Sequence, residues 1–282
     1  MMKNLYILLS LLISVPSISW AGGGWPQKKG KLYLKLGQYS ILAKHYYSPA
    51  GHVLDITTTG YHATSLYGEW GITDKFTAIA YFPFFVRSTL NKVERPDGQL
   101  VQKGDELNSI GDADITLKYG ILKAGPYVGA LSLTLGVPLG EPSGGRTELL
   151  QSGDGEFNQM LTFELSRSFG KGHQYVSLLL GFNNRTENFS DEFRYGAEFG
   201  AKVKRFWLIA RLYGIESFEN GNEAIIANNG IFSNNLEYLS LSPEIAYEWS
   251  EQMGVSVGAG FALQGKRILA DPSFSMGIYL KI

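Results

Sequence analysis

The stretch GDADITLKYGIL, residues 111–122, alternates with a period of two. Asp112, Asp114, Thr116 and Lys118 fall on one face, and Ala113, Ile115, Leu117 and Tyr119 on the other. Successive side chains of a strand point to opposite sides, so this segment is a strand with one polar and one apolar wall. The next segment repeats the pattern: Leu131, Leu133, Leu135 and Val137 oppose Ser132, Thr134 and Gly136. Near the C-terminus, Val255, Val257, Ala259, Phe261 and Leu263 oppose Gly254, Ser256, Gly258, Gly260 and Gln264. The chain closes with Phe274, Met276, Ile278, Leu280 and Ile282 set against Ser273, Ser275, Gly277, Tyr279 and Lys281.

Working outward, the same alternation predicts twelve strands, over 31–42, 60–71, 76–88, 111–122, 127–139, 157–168, 174–184, 193–203, 207–217, 237–249, 254–265 and 272–282. Their length suits a tilted bilayer crossing better than an ordinary soluble strand. Connections alternate in length. Tight turns fall at Gly71–Lys75, Lys123–Pro126, Gly170–His173, Lys204–Phe206 and Ser250–Met253. Long polar connections fall at 43–59, 89–110, 140–156, 185–192 and 218–236, with a shorter one at Lys266–Asp271. Short periplasmic turns and long external loops are the plan of an all-β, antiparallel up-and-down transmembrane β-barrel. An even strand count then places both termini on the periplasmic side.

Composition agrees. The 282 residues contain no Cys, 34 Gly, 13% aromatic and 18% charged residues. After the N-terminus no apolar run reaches the roughly 20 residues a spanning helix needs. The net charge of −1 and the lack of a basic block speak against nucleic acid as a partner. Residues 1–21 read as a signal peptide: Lys3 is the positive start, Leu5–Val15 the apolar run, and Ser19-Trp20-Ala21 the cleavage site. The barrel then occupies 22–282, with GGGWPQKKGK as a short periplasmic lead-in to the first strand. This predicts an exported protein of a Gram-negative outer membrane, in contact with its lipids.

Aromatic residues crowd the short-turn ends, namely Trp70 and Phe76, Tyr119 and Tyr127, Phe169 and Tyr175, Phe206 and Trp207, and Tyr247 and Trp249. An interfacial girdle accounts for them. Pro83, Pro138 and Pro243 cannot donate to a ladder. Pro138 falls at a rim where pairing ends, while Pro83 and Pro243 are assigned to bulges.

A cation facing lipid at the midplane costs roughly 2–4 kcal/mol. That cost sends the strand charges inward, giving lumen-lining candidates Lys35, Glu69, Arg87, Asp112, Asp114, Lys118, Glu164, Arg194, Glu198, Lys202, Arg211, Glu244, Glu248 and Lys281. Acids and bases nearly balance, which disfavours strong ion selectivity. If the Lys204-Arg205 turn joins a regular hairpin, Glu198 and Arg211 stand opposite each other on the inner face.

No catalytic constellation emerges. Asp112 and Asp114 share a face and could bind a cation or form an acid–base pair, but Lys118 further along that face favours a structural salt bridge, and the same holds for Glu244 and Glu248. The loop GEPSGGRTELLQSGDGEFN lacks the GKS/T ending of a phosphate loop. Asp154, Glu156 and Asn158 alternate, but without the ligand spacing of an EF-hand. His45, His52, His62 and His173 have no nucleophile or zinc pattern beside them. The expectation is no enzyme, no cofactor and no metal.

At GDADITLKYGIL the chain resembles bacterial outer-membrane proteins associated with the meta-pathway of phenol degradation. That resemblance rests on Gly111-Asp112 and on the strand ending at Lys118-Tyr119, and it extends to SLTLGVPLG, QSGDGEFNQ and the GITDKF turn. It implies a porin-like transport barrel for small, aromatic or apolar compounds, and carries over no site residues. Two functions stay open, ahead of a third, an outer-membrane enzyme, for which no nucleophile or acid pair converges. One is a narrow solute channel or transporter, gated or narrowed by the loops 89–110, 140–156 and 218–236. The other is a plugged structural or surface-interaction barrel acting through its external loops.

Overall fold

The computed structural model describes residues 23–222 and 232–282. The leader 1–21 and residues 223–231 of the loop 218–236 lie outside the described residues.

In chain order the strands are β1 (Leu32–Tyr47), β2 (Val53–Gly71), β3 (Phe76–Leu90), β4 (Val93–Glu94), β5 (Leu100–Gln102), β6 (Asp105–Ser109), β7 (Ala113–Ala124) and β8 (Tyr127–Val137). They continue as β9 (Asn158–Phe169), β10 (Gln174–Arg185), β11 (Glu192–Val203), β12 (Phe206–Ser217), β13 (Glu237–Glu248), β14 (Met253–Lys266), β15 (Ile268–Leu269) and β16 (Ser273–Lys281). Twelve of them make the wall, each antiparallel to its neighbours, and β1 pairs with β16 to close it. The remaining four are external additions: β6 extends the line of β7 along β3, β15 pairs with the upper end of β1, and β4 with β5 forms a small hairpin. The sheet has no open edge, so every mid-wall strand finds partners on both sides.

The alternation works as the sequence requires. Leu117, Leu133, Leu161, Leu178, Leu208 and Val257 project from the outer wall, while Lys118, Ser132, Thr134, Thr162, Glu164 and Ser177 are buried within. Glu198 and Arg211 are direct partners across the β11–β12 hairpin, whose turn places Lys204 at φ +56.

The connection 43–59 is shorter than the sequence suggests. β1 and β2 continue as a ribbon to Tyr47 and Val53 and turn over Ser48–His52. Pro138 lies just past the end of β8, as expected. Pro83 sits at a bulge: β2 and β3 shift register between Thr64 and Leu66, which face Phe85 and Phe82. The carbonyl of Pro83 accepts from Gly111 N at 2.8 Å. A side chain at Gly111 would collide with the Pro83 ring, 2.7 Å from an added Cβ. Pro243 is different, because no bulge forms there. Pairing to β14 lapses over Ser242 and Pro243 and resumes in unchanged register, from Leu241↔Phe261 to Glu244↔Gly258. The β13–β14 irregularity lies instead between Leu239 and Ser240.

The bulge at Pro83 corrects one orientation. One extra residue flips every later side chain to the other face. Above it Val86 and Ser88 are fully buried, and Arg87 faces outward, 2.5 Å from Glu106 on the exposed side of the β3–β6 extension. Arg87 is therefore not a lumen residue.

Candidate functional site

The interior divides into three levels. At the periplasmic end the segment 23–30 is not a lead-in outside the barrel: it folds into the lumen. Gly24 N donates to Ser166 Oγ at 2.7 Å and Gln27 N to Thr77 Oγ1 at 2.8 Å. The Gln27 amide donates to buried Glu69 at 3.0 Å, and Lys118 Nζ reaches the Gly23 carbonyl oxygen at 2.7 Å. The glycines permit this approach. A Cβ on Gly24 would stand 2.8 Å from the Val128 carbonyl oxygen, and one on Gly23 would press on the hydroxyls of Ser177 and Ser166. Trp25 packs edge-on to Tyr175, with ring centroids 5.6 Å apart. This strap thus fills one side of the lumen, against β2, β3, β7, β9 and β10.

Beside the strap is a cavity of about 400 Å³. Five tyrosines line it (Tyr33, Tyr39, Tyr67, Tyr81 and Tyr279), together with Ile209, Met276, Lys35, Arg211, Glu198 and Glu244. Tyr33 stacks on Tyr279 at 5.7 Å and meets Tyr67 edge-on at 6.1 Å. The charges are joined in a chain: Lys35 lies 3.5 Å from Glu244, Arg211 donates to Glu244 at 2.7 Å and to Glu198, and Tyr175 donates to Glu198 at 2.5 Å. A second group below pairs Lys202 and Lys281 with Glu248, the latter at 2.6 Å. Lys118 and Glu164 pair at 2.9 Å beside the strap. At this depth these acids and bases compensate one another, as charges held in a poorly hydrated interior require.

At the external end the loop 140–156 folds inward. Asp112 Oδ1 accepts from Gly140 N and its Oδ2 from Asp154 N, each at 2.8 Å. Arg185, almost fully buried, spreads its guanidinium over Asp154 at 2.9 Å, Glu156 at 2.7 Å and Glu192 at 2.9 Å. Arg194 donates to Glu192 as well, at 2.6 Å. These residues surround a smaller cavity of about 180 Å³, which Ile215 and Phe232 complete. Burial raises the Asp154 carboxyl to about 6; Arg185 pulls it down, and Asp112 pushes it further up.

Of the fourteen expected residues, Lys35, Glu69, Lys118, Glu164, Arg194, Glu198, Lys202, Arg211, Glu244, Glu248 and Lys281 fall in the inner polar rows. Asp112 and Asp114 are at their external end, but Asp112 is spent on holding a loop. Asp114, in register with Tyr81 and Gly136, makes no ion pair among the described residues. Arg185 and Glu192 went unselected because they fall just outside the expected strands, and Asp154 and Glu156 because, in an external loop, they read only as ion ligands. Two expected girdle residues also point inward: Trp207 is fully buried and Tyr175 nearly so. Their phase relative to Arg211 and Ser177 was a usable signal. Trp70, Phe76, Tyr119, Tyr127, Phe169, Phe206 and Trp249 are exposed on the outer side.

No family profile and no characterised protein matches the sequence. Among solved structures the chain is similar to an outer membrane channel from Pseudomonas putida F1. The TM-score is 0.61 at 12% identity, covering 94% of this chain and 100% of that one. It is also similar to the NanC porin, with a TM-score of 0.51 at 8% identity, covering 89% of this chain and 100% of the other. At such identities the likeness establishes the fold, an outer-membrane-type barrel of the channel and porin architecture.

Proposed function

We propose that this protein is exported by the leader 1–21 to the outer membrane and acts there as a narrow channel for small aromatic or apolar solutes, without catalysis. The cavity beside the strap supports this reading. Its volume is within the range that holds a small molecule, tyrosine rings supply apolar faces, and the internally paired charges offer hydrogen bonds without a large net field. The lining of the route consists of Lys35, Glu198, Arg211 and Glu244 at the cavity, Lys118 and Glu164 at the strap, and Asp112, Asp114 and Arg194 toward the mouth. The resemblance to barrels of the phenol meta-pathway is the reason for naming aromatic or apolar solutes.

The strap favours a second reading, a plugged barrel that works through its external loops. Single-channel recording and liposome swelling on the folded mature chain, with and without residues 23–30, separate the two. Conductance that rises on strap removal fits a channel with a displaceable strap. A closed barrel in both forms would sink the channel reading.

A further inference from the structure

Asp112 Oδ2 accepts the backbone amide of Asp154 at 2.8 Å, which brings a carboxyl group of the wall and one of the loop together, and neighbouring carboxyl groups cannot both ionise cheaply. Asp112 belongs to the wall, at the foot of β7. Asp154 belongs to the inward loop. We propose that the loop 140–156 is an acid-operated latch: a proton shared by Asp112 and Asp154 fastens the loop into the external mouth, and its loss loosens the loop. The inference rests on the channel reading for its consequence but not for its movement.

The sign follows from which state holds the proton more tightly. With the loop in, both oxygens of Asp112 accept backbone amides, Gly140 N and Asp154 N, so the proton goes to Asp154; it costs the 2.9 Å ion pair with Arg185, but that cation keeps Glu156 and Glu192 as partners. With the loop out, Asp154 stands in water at the ordinary value of 3.8. The inserted state therefore gains from acid. The interval between 3.8 and about 6 allows the in/out equilibrium to change by up to about 100-fold. The surrounding charges agree. Asp154 faces Glu156 on its own loop, Asp112 and Asp114 from β7 and its foot, Arg185 from β10, and Glu192 and Arg194 from β11. Five carboxyl groups, Asp154 and Asp112 included, share two guanidiniums, so at neutral pH the inserted loop carries uncompensated negative charge. The seat itself is closely fitted: a Cβ on Gly153 would lie 2.2 Å from Asp112 Oδ1.

Planar-bilayer recordings of the folded mature chain between pH 7.5 and 4.5 test the latch. Conductance or open probability should fall tenfold or more as pH drops through about 6. Asp154→Asn retains a donor to Asp112 without charge, so it should hold the low-conductance state at every pH and abolish the step. Asp112→Asn replaces one of the two acceptor oxygens by a donor and removes the charge that favours the proton on Asp154, so it should move the step to lower pH. An unchanged step in Asp154→Asn, or conductance that rises in acid, would overturn the latch. Spin labels on Ser143→Cys and Lys123→Cys, in a chain without other cysteines, read the loop directly by pulsed distance measurement. A distribution that narrows in acid while no current flows at any pH would keep the latch and reject the channel. A distribution indifferent to pH would reject the latch whatever the currents show.

Discussion

The Lys118 ammonium group donates to the carbonyl oxygen of Gly23, 95 residues earlier in the chain, and lies 2.9 Å from the Glu164 carboxylate. One buried cation thus ties the N-terminal strap to the wall and neutralises an acid that sits inside the barrel. Lys118→Met keeps the length of the side chain and drops its charge. It should leave Glu164 uncompensated and destabilise the barrel by about 3–5 kcal/mol, measured by urea unfolding in lipid. Adding Glu164→Gln should recover much of that loss, because the buried charge is removed together with its partner. Strictly additive losses would mean that the two side chains act independently.

Side-chain phase at the turn ends makes a second prediction. Trp207 is fully buried in the interior, packed 6.0 Å from Tyr175, whereas Trp70 and Trp249 project from the outer wall. In variants that retain a single tryptophan, brominated lipid should quench the fluorescence of Trp70 and Trp249 strongly and that of Trp207 weakly. Strong quenching of Trp207 would show that β12 is one residue out of phase.

The wall was legible in the sequence because alternation and turn length are local. The bounds of the nine wall strands from β7 onward fall within a few residues of the expected ones, and the Glu198–Arg211 pairing followed from one two-residue turn. What failed depends on single insertions or on contacts distant in sequence. The bulge at Pro83 turned Arg87 outward by adding one residue to one strand. Pro243 needed no bulge, since a lapse in pairing on one side absorbs its missing donor. Nothing local marks Gly23–Gln27 as an interior strap, because its partners Thr77, Lys118 and Ser166 are 50 to 142 residues away. The expected charge balance held at the depth of the cavity and failed at the mouth, where the loop brings in Asp154 and Glu156.

Asp112 and Asp114 should behave differently when each is replaced by Asn. Asp112 accepts two loop amides, so Asp112→Asn should lower loop order and shift pH dependence. Asp114 accepts no loop amide among the described residues, and charges in a constriction act on ions through their field. Asp114→Asn should reduce cation preference in reversal-potential measurements across a salt gradient while leaving urea stability within about 0.5 kcal/mol. Equal effects of the two substitutions on selectivity would show that neither acts through the loop.

The far end of the same loop is tied by a group that does not titrate near neutrality. Asp105 accepts Thr147 N at 2.8 Å and Thr147 Oγ1 at 2.6 Å through one oxygen, and Glu106 N and Arg146 N through the other. Burial acts to raise this carboxyl, but the hydrogen bonds from Thr147, Arg146 and Glu106 outweigh it and hold it down to about 2. The sign is the reverse of that at Asp154. A depressed carboxyl contributes stability that is present above its ordinary value of 3.8 and is lost only as pH falls toward 2. Hydrogen-exchange protection of the Arg146 and Thr147 amides, corrected for intrinsic rates, should therefore stay level from pH 7.5 to 4.5. Asp105→Asn weakens charge-assisted bonds and should lower that protection by about tenfold to 100-fold at every pH in the range. If protection at Thr147 changes near pH 6 in step with Asp154, the loop moves as one body and the tether does not isolate its outer end. If it stays level while the amide of Asp154 responds, acid acts on the seat alone, and the loop swings on a fixed anchor at Asp105.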